Sequence, residues 1–432
     1  MNYGETINWL YSRLPMFSRQ GAVAYKPSLD NTIQLCAAFG NPHTKFRSIH
    51  VAGTNGKGSV SHMLASVLQS AGYKTGLYTS PHLWDFRERI KINGSFVPEN
   101  YVVSFTEKSK PLVDRFEPSF FELTVGMAFS WFAENGVDIA VIETGLGGRL
   151  DSTNVVTPVL SVITNIGWDH MTILGNTLPK IASEKAGIIK KGIPVVIGET
   201  HPETEDVFRS KAAECGSVLH FADQQRTLQE WRWTAHHLEI SVTDHTHADM
   251  HTYALDLSGI YQLRNLLTVL QSIQVLQQLG WNLPFEKVRQ GLASVRKQTG
   301  LHGRWETLHT KPKLIADVAH NVDGMKQVLS QLEWMDYHAL HFVLGMVRDK
   351  DVDQVLALLP ATARYYFTRS SIPRAMPEDE LANRAEVFNL RGDRFPDVNA
   401  AIRNALSQAR EEDLILVCGS VFLVGEITIP IV

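Results

Sequence analysis

The chain has 432 residues, of which 44% are hydrophobic and 20% charged, proportions that exclude a disordered, collagen-like or coiled-coil polypeptide. A chain this long exceeds what one core usually supports, so two domains are expected. With 41 basic against 45 acidic residues and a formal charge of −4, it lacks the cation excess by which nucleic-acid binders neutralise phosphate, and any anionic ligand has to be gripped locally.

Three widely spaced cysteines (Cys36, Cys215, Cys418) support neither a disulfide framework nor a zinc knuckle, which fits a reducing cytoplasm. No basic segment precedes an apolar block at the start, and no apolar run approaches the length of a membrane span. A soluble, unexported protein is expected.

In chain order, Ile7, Leu10, Tyr11 and Leu14 recur at helical spacing, as do Leu29, Ile33, Leu35, Ala38 and Phe39, with a loop from Gly21 to Lys26 between them. Ile49 to Ala52 read as a buried strand, followed by a glycine-rich turn and a helix from Val60 to Ser70 closed by Gly72. Further strands are expected at Thr75 to Thr79, Ile139 to Glu143, Val159 to Thr164, Pro194 to Ile197 and Val218 to Phe221, separated by helices such as Phe120 to Phe132. Residues 227–257 alternate aromatic, β-branched and polar side chains, which predicts a small antiparallel addition. Its histidines (His236, His237, His245, His247, His251) lack cysteine or carboxylate partners at ligand spacing and read as surface strand residues. Helices over Tyr261 to Leu279 and Pro284 to Ala293 come next, then a polar stretch suited to a linker. From Leu314 the order strand, helix, strand resumes on a smaller scale to Cys418. The expected architecture is α/β throughout: residues 1–297 a P-loop ATPase-like, mainly parallel sheet with the antiparallel addition, residues 298–303 a linker, and residues 304–432 a smaller, open, Rossmann-like α/β domain.

The strongest chemical signal is Gly53-Thr54-Asn55-Gly56-Lys57-Gly58-Ser59 between a strand and a helix. Glycines let backbone N–H groups close around phosphate oxygens, lysine adds a point charge, and the helix N-terminus adds a positive dipole. Ser59 is placed to hold Mg²⁺ through its hydroxyl. Glu143 ends a predicted strand, where such a sheet carries a metal-binding carboxylate, and Asp169 and His170 follow the end of another. Lys185, taken alone, has an ordinary place in the last turn of a helix. Beyond the linker lie Arg304, a strand-end Asp317, His320, and Asn321, which fits a helix cap.

Together these residues resemble the folylpolyglutamate synthase/dihydrofolate synthase (FolC) family of the Mur ligase superfamily over nearly the whole chain. The resemblance rests on His50 to Val60, Leu77 to Gly94, Phe120 to Phe129, Glu143 to Asn154, Ile166 to Thr177, Ile181 to Gly192, Tyr261 to Asn265, His302 to Glu306 and Asp317 to Asn321. It implies an ATP-dependent amide ligase that adds L-glutamate to the carboxylate of tetrahydrofolate, and also to dihydropteroate, through an acyl phosphate. Thr54, Asn55, Gly56, Lys57, Gly58, Ser59, Asn265, Arg304 and Asp317 match ATP-contacting positions. Ser59 and Glu143 would hold one Mg²⁺, and Glu143, His170 and a carbamylated Lys185 a second. Lys57, Lys185, Asp317 and His320 form the implied catalytic set, Ser80, Pro81, His82, Phe121 and Asp151 the folate contacts, and Ser420 a glutamate contact. A cytoplasmic monomer without nucleic-acid or membrane partners is implied. Two competing readings are a Mur-type ligase acting on a different carboxylate and an ATP-binding module without turnover. The first has no room for a nucleotide-binding domain before Gly53, and the second predicts lost metal ligands or a lost Lys57.

Overall fold

The computed structural model describes residues 1–16, 19, 21, 26–245, 249–348 and 350–428; most of the loop expected at 21–26, and His247, fall outside these residues. The first sheet has eight strands in the order β4-β3-β2-β5-β1-β6-β7-β8. β1 (Arg47–Ala52), β2 (Thr75–Tyr78), β5 (Ile139–Glu143), β6 (Leu160–Ile163), β7 (Val195–Ile197) and β8 (Leu219–Phe221) run parallel. Apart from exposed Arg47 and the partly buried Leu219 and His220 of the edge strand β8, their side chains are buried on both faces, as continuous apolar runs require when helices cover a parallel sheet on each side. Two short antiparallel strands, β3 (Ile90–Ile92) and β4 (Ser95–Phe96), finish one edge.

Register decides where chemistry can occur. Val51 pairs with Glu143 and Ala52 with Ile163, so β1, β5 and β6 end level. The segments that follow them, beginning at Gly53, Thr144 and Thr164, therefore leave the sheet side by side at its carboxyl edge, where open α/β sheets bind ligands.

The antiparallel addition forms its own three-stranded sheet of β9 (Arg226–Trp233), β10 (Leu238–Asp244) and β11 (Asp249–Leu255). Leu238, Ile240 and Val242 alternate inward to the same core as Leu266, Leu270 and Ile273 of the helix Gln262–Gln278. Buried Arg226 fastens the sheet there, pairing with Asp244 at 2.9 Å and Gln274 at 3.0 Å.

The second large sheet contains β12 (Glu306–Thr310), β13 (Lys313–Ala316), β14 (Leu340–Leu344), β15 (Arg364–Phe367), β16 (Gly392–Arg394) and β17 (Leu414–Cys418), ordered β12-β13-β17-β14-β15-β16. All neighbours are parallel except β12 and β13. The stretch before it is less open than its polar sequence suggests. Val295–Thr299 is a short helix whose two end residues, one turn apart, are buried. Lys91 Nζ donates to Thr299 O at 2.6 Å, and a His62 ring nitrogen lies 2.7 Å from Thr299 Oγ1, so this segment is fixed to the first sheet's helices. Among the described residues no helix is long and apolar enough to cross a membrane.

Candidate active site

The phosphate loop is built around a glycine that any other residue would strain. Gly56 precedes the helix Lys57–Ser70 with φ of 82°, and a Cβ there would stand 2.4 Å from Asn265 Oδ1. Thr54 stitches the loop to the end of β6, its Oγ1 accepting from Gly167 N at 2.9 Å, while Asn55 N donates to Asn165 Oδ1 at 3.0 Å. Lys57 Nζ turns back into the loop, donating to Gly53 O at 3.0 Å and Thr54 O at 3.1 Å. Burial pushes this ammonium below its ordinary pKa, and the negative charges of Glu143 and Asp169 pull the other way. Ser59 Oγ accepts from Gln262 Nε2 at 3.1 Å, and Gln262 Oε1 in turn accepts from Asn265 Nδ2 at 2.8 Å.

Glu143 closes β5 with only 4% exposure. Its Oε2 accepts from Ser80 N at 2.9 Å, and its Oε1 lies 3.8 Å from where a Cβ on Gly58 would stand. Burial raises its carboxyl pKa against the pull of Lys57, the Ser80 amide and Arg304. A dry carboxylate with one oxygen committed and the other beside a phosphate loop fits a hard divalent cation that completes its shell with phosphate and water. Among the described residues no three His, Cys, Asp or Glu side chains converge as a metal cluster. His170 takes the left-handed conformation (φ 51°) ahead of the helix Met171–Leu174. Burial, with help from the Lys350 charge, lowers its pKa to about 3, so the ring is neutral and a possible ligand. Lys185 is 4% exposed and donates to Gly53 O at 2.8 Å, the carbonyl that Lys57 also uses. Burial and then the Lys57 charge lower its pKa to about 7.

The second sheet contributes the opposite wall. Asp317, at the end of β13, accepts from Tyr261 Oη at 2.6 Å and Trp305 N at 2.8 Å through Oδ2, and from Ala319 N at 2.9 Å through Oδ1. Burial raises its pKa, opposed by the Tyr261 hydrogen bond and the Arg304 charge. Trp305 has φ of 47°, so Asp317 holds a strained turn, and with it the neighbouring Arg304. Asp317→Asn turns one acceptor into a donor facing a backbone N–H. It is expected to cost roughly 1–3 kcal/mol of stability and to raise KM for ATP, measured by urea unfolding and initial rates. His320 Nδ1 donates to Val318 O at 2.8 Å, and its Nε2 lies 3.6 Å from Asp169 Oδ2.

These residues surround two adjoining cavities. One, of about 470 Å³, is lined by Thr54 to Ser59, Glu143, Lys185, Asn265, Arg304 and Asp317. The other, of about 240 Å³, is lined by Phe120, Phe121, Leu150 and Asp151 and by the cations Lys26, Arg89, Lys350 and Arg374, with Ser420. Ser80, Pro81, Leu146, His170 and His320 line both.

Most of the expected site residues line these cavities, and two expected folate contacts also have partners within the protein. Asp151 reaches the second cavity, but its carboxylate is committed to Leu146 N at 2.8 Å and Thr153 N at 3.0 Å, fixing the loop after β5. His82 lines neither cavity. It accepts from Arg89 Nε at 2.7 Å and bonds Tyr11 Oη at 3.0 Å, orienting an arginine that does line one. Ser420 caps the last helix by accepting from Phe422 N at 3.2 Å. Arg89 and Gln262 lay within motifs that carry the resemblance but outside the expected site, and Lys350 and Arg374 carry no local pattern and reach the cleft only through the fold.

A phosphate loop at the carboxyl edge of one α/β sheet, faced across a cleft by a second α/β sheet, defines a Mur-ligase-type protein. Residues 51–273 match the Mur ligase middle domain, and residues 303–421 match the Mur ligase, glutamate ligase domain. The chain is 32% identical to a Bacillus subtilis dihydrofolate synthase/folylpolyglutamate synthase, over 98% of each chain. It is 33% identical, over 99% of its length, to a Haloferax volcanii probable bifunctional folylpolyglutamate synthase/dihydropteroate synthase, of which it spans 50%. Its structure is similar to that of Escherichia coli FolC in complex with DHPP and ADP, with a TM-score of 0.85 and 29% identity, covering 98% of this chain and 96% of that one. The chain belongs to the folylpolyglutamate synthase/dihydrofolate synthase family and is a ligase of that class.

Proposed function

We propose that the protein is an ATP-dependent amide ligase that joins L-glutamate to the carboxylate of tetrahydrofolate, and also to dihydropteroate. The observation that carries this reading is the junction of the two cavities. A phosphate-binding cavity meets an aromatic and cationic one at His170 and His320, so a nucleotide in the first and a flat polycarboxylate in the second would bring phosphate and carboxylate together.

A carboxylate is a poor acyl donor because it would have to expel oxide. Attack of its oxygen on the γ-phosphorus of ATP releases ADP and gives an acyl phosphate; attack of the glutamate nitrogen on the acyl carbon then expels phosphate, and the amine loses a proton. Lys57 offsets the charge on the transferring group once phosphate replaces the carbonyls it now bonds, and Arg304 lies over the same loop, 3.3 Å from where a Cβ on Gly58 would stand. His320 Nε2 takes the proton from the amine, with Asp169 stabilising the imidazolium. Ser59 and Glu143 would hold one Mg²⁺ and His170 with carbamylated Lys185 and Glu143 another; bound Mg²⁺ supplies Lewis-acid neutralisation of phosphate oxygens. Residues 1–297 and 304–432 act as two domains joined at 298–303, and the cleft between them keeps water from the acyl phosphate.

The flat pterin ring is assigned to Phe121, which stands at the helix start fixed by the Ser119–Glu122 capping box and presses on Gly145, where a Cβ would meet the ring at 2.6 Å. Phe121→Ala is expected to raise KM for the pterin substrate about tenfold, roughly 1.4 kcal/mol, with kcat little changed.

The testing experiment is phosphate release from ATP and Mg²⁺ with L-glutamate, run separately with dihydropteroate and with tetrahydrofolate, with the product mass determined in each. Release and ligation with both are expected. Ligation with tetrahydrofolate alone limits the enzyme to chain extension, and ligation with neither overturns the folate assignment.

A further inference from the structure

Contacts between the part of the chain before the connecting segment and the part after it fall into two groups. Near the connecting segment they are numerous and apolar or doubly bonded. Gln331 accepts from Ile260 N at 2.6 Å and donates to Ser258 O at 3.1 Å, Ser258 Oγ donates to Trp305 O at 3.1 Å, and Trp334 packs on Trp231 with ring centroids 5.0 Å apart. Across the mouth of the cleft, the contacts gather on one short loop of the first sheet, residues 167–170. Asp169 is its centre, with a side chain only 11% exposed. Lys350 Nζ pairs with Asp169 Oδ1, Asn321 Nδ2 donates to Asp169 Oδ2 at 3.2 Å, and His320 Nε2 lies 3.6 Å from the same oxygen. All three partners come from the second sheet's loops. Asn321 also exchanges amide hydrogen bonds with Asn55 of the phosphate loop, at 3.1 and 3.3 Å.

Steric fit marks the same loop. Gly167 has no positive φ to explain it, yet a Cβ there would stand 2.1 Å from Asp323 Oδ2, the atom that accepts from Trp168 N at 3.2 Å. A side chain at this position would have to displace the Asp323 carboxylate, which the second sheet's helix Val322–Leu332 carries.

We infer that Asp169 and Lys350 are positioning residues, a charge latch that holds the two halves of the cleft together around His320 and the phosphate loop, with Gly167 giving the clearance that lets it shut. Lys350 is 7% exposed, so its ammonium exchanges water for this carboxylate; removing Asp169 leaves a buried cation without its carboxylate, and removing Lys350 leaves Asp169 with the hydrogen bonds of Asn321 Nδ2 and His170 N but without its cation. That asymmetry favours a switch between shut and open over gradual loosening. The consequence for ligation rests on the activity proposed above; the latch itself does not.

The test therefore reads geometry first. With Cys215→Ser as background, nitroxide labels at Val218 and Val387, which are 63% and 77% exposed on the two halves, give a distance distribution without any ligand; Cys36 and Cys418 are buried. The parent is expected to show one narrow distance. Lys350→Met, Asp169→Asn and Gly167→Ala should shift it to longer, broader values, and Lys350→Arg should keep it. Distributions for Lys350→Met and Gly167→Ala that superimpose on the parent, in proteins with parental melting curves, overturn the latch. In turnover, the phosphate released per amide formed should rise several-fold in Lys350→Met and return towards the parent in Lys350→Arg; an unchanged ratio overturns the positioning role. Should the parent ligate no folate, the proposed function fails while the distance measurement still decides the latch.

Discussion

Lys57→Ala is expected to lower the rate of ligation by about 10³-fold while leaving the protein folded, the scale expected when a preorganised charge is removed from a reacting phosphoryl group. The structure separates these two effects. Of the two carbonyls that Lys57 Nζ satisfies, Gly53 O keeps a second donor in Lys185 at 2.8 Å, so only Thr54 O loses its lysine partner. Position 57 is the first residue of its helix, where alanine is a better helix former than lysine. The melting temperature should therefore stay within a few degrees of the parent, a change of about 1 kcal/mol or less. Catalysis has no such reserve. Lys185 is committed to Gly53 O and Arg304 approaches from the other sheet, so neither takes the position of the Lys57 ammonium. The variant is tested by phosphate release and by thermal unfolding. A variant that turns over within tenfold of the parent removes Lys57 from the phosphate-binding role.

The phosphate loop was legible because everything it needs lies within one stretch: a buried strand, glycines, a lysine, a hydroxyl and a helix follow one another from Ile49 to Ser70. Glu143 and His170 were legible for a related reason, since Glu143 ends an apolar run and His170 lies in the loop that leaves another, and parallel strands in register place such ends together. Lys350 was not legible. It sits in a turn after β14, and its partner Asp169 is 181 residues earlier in the chain; no periodicity encodes such a pair. The helix Glu99–Phe116 also went unread, because Pro111 within it imitates a helix stop. The pairs Ile90–Ile92 with Ser95–Phe96 and the edge strand Gly392–Arg394 are two or three residues long, too short for alternation to register. The polar stretch before Arg304 misled in the other direction: Val295 and Thr299, four apart, were the sign of a docked helical turn. His82 shows a further limit. A histidine beside Ser80 and Pro81 reads as a ligand contact, and only the fold reveals that it orients Arg89.

Lys185→Ala is expected to lose about 10²-fold or more in turnover and to recover part of it when formate or acetate is supplied. Lys185 and Lys57 donate to the same carbonyl, Gly53 O, at 2.8 and 3.0 Å. Burial disfavours the Lys185 ammonium most, and repulsion from the Lys57 ammonium on the same oxygen adds to it, which is why the Lys185 pKa falls to about 7. A substantial fraction of the amine is then neutral near pH 7 and able to add carbon dioxide. The carbamate formed by that addition exchanges a like-charge pair for an opposite-charge pair with Lys57 and presents oxygens where the lysine had none to offer. An alanine leaves space in which a small carboxylate can take the place of the carbamate, whereas chloride at equal ionic strength cannot supply two oxygens. Intact-mass measurement of the parent in bicarbonate should show the added carbon dioxide, lost on transfer to acid. A fully active Lys185→Ala, or a loss that formate and chloride affect alike, would remove the carbamate role and return Lys185 to the place its sequence first suggests, a cation in the last turn of the helix Leu178–Ala186.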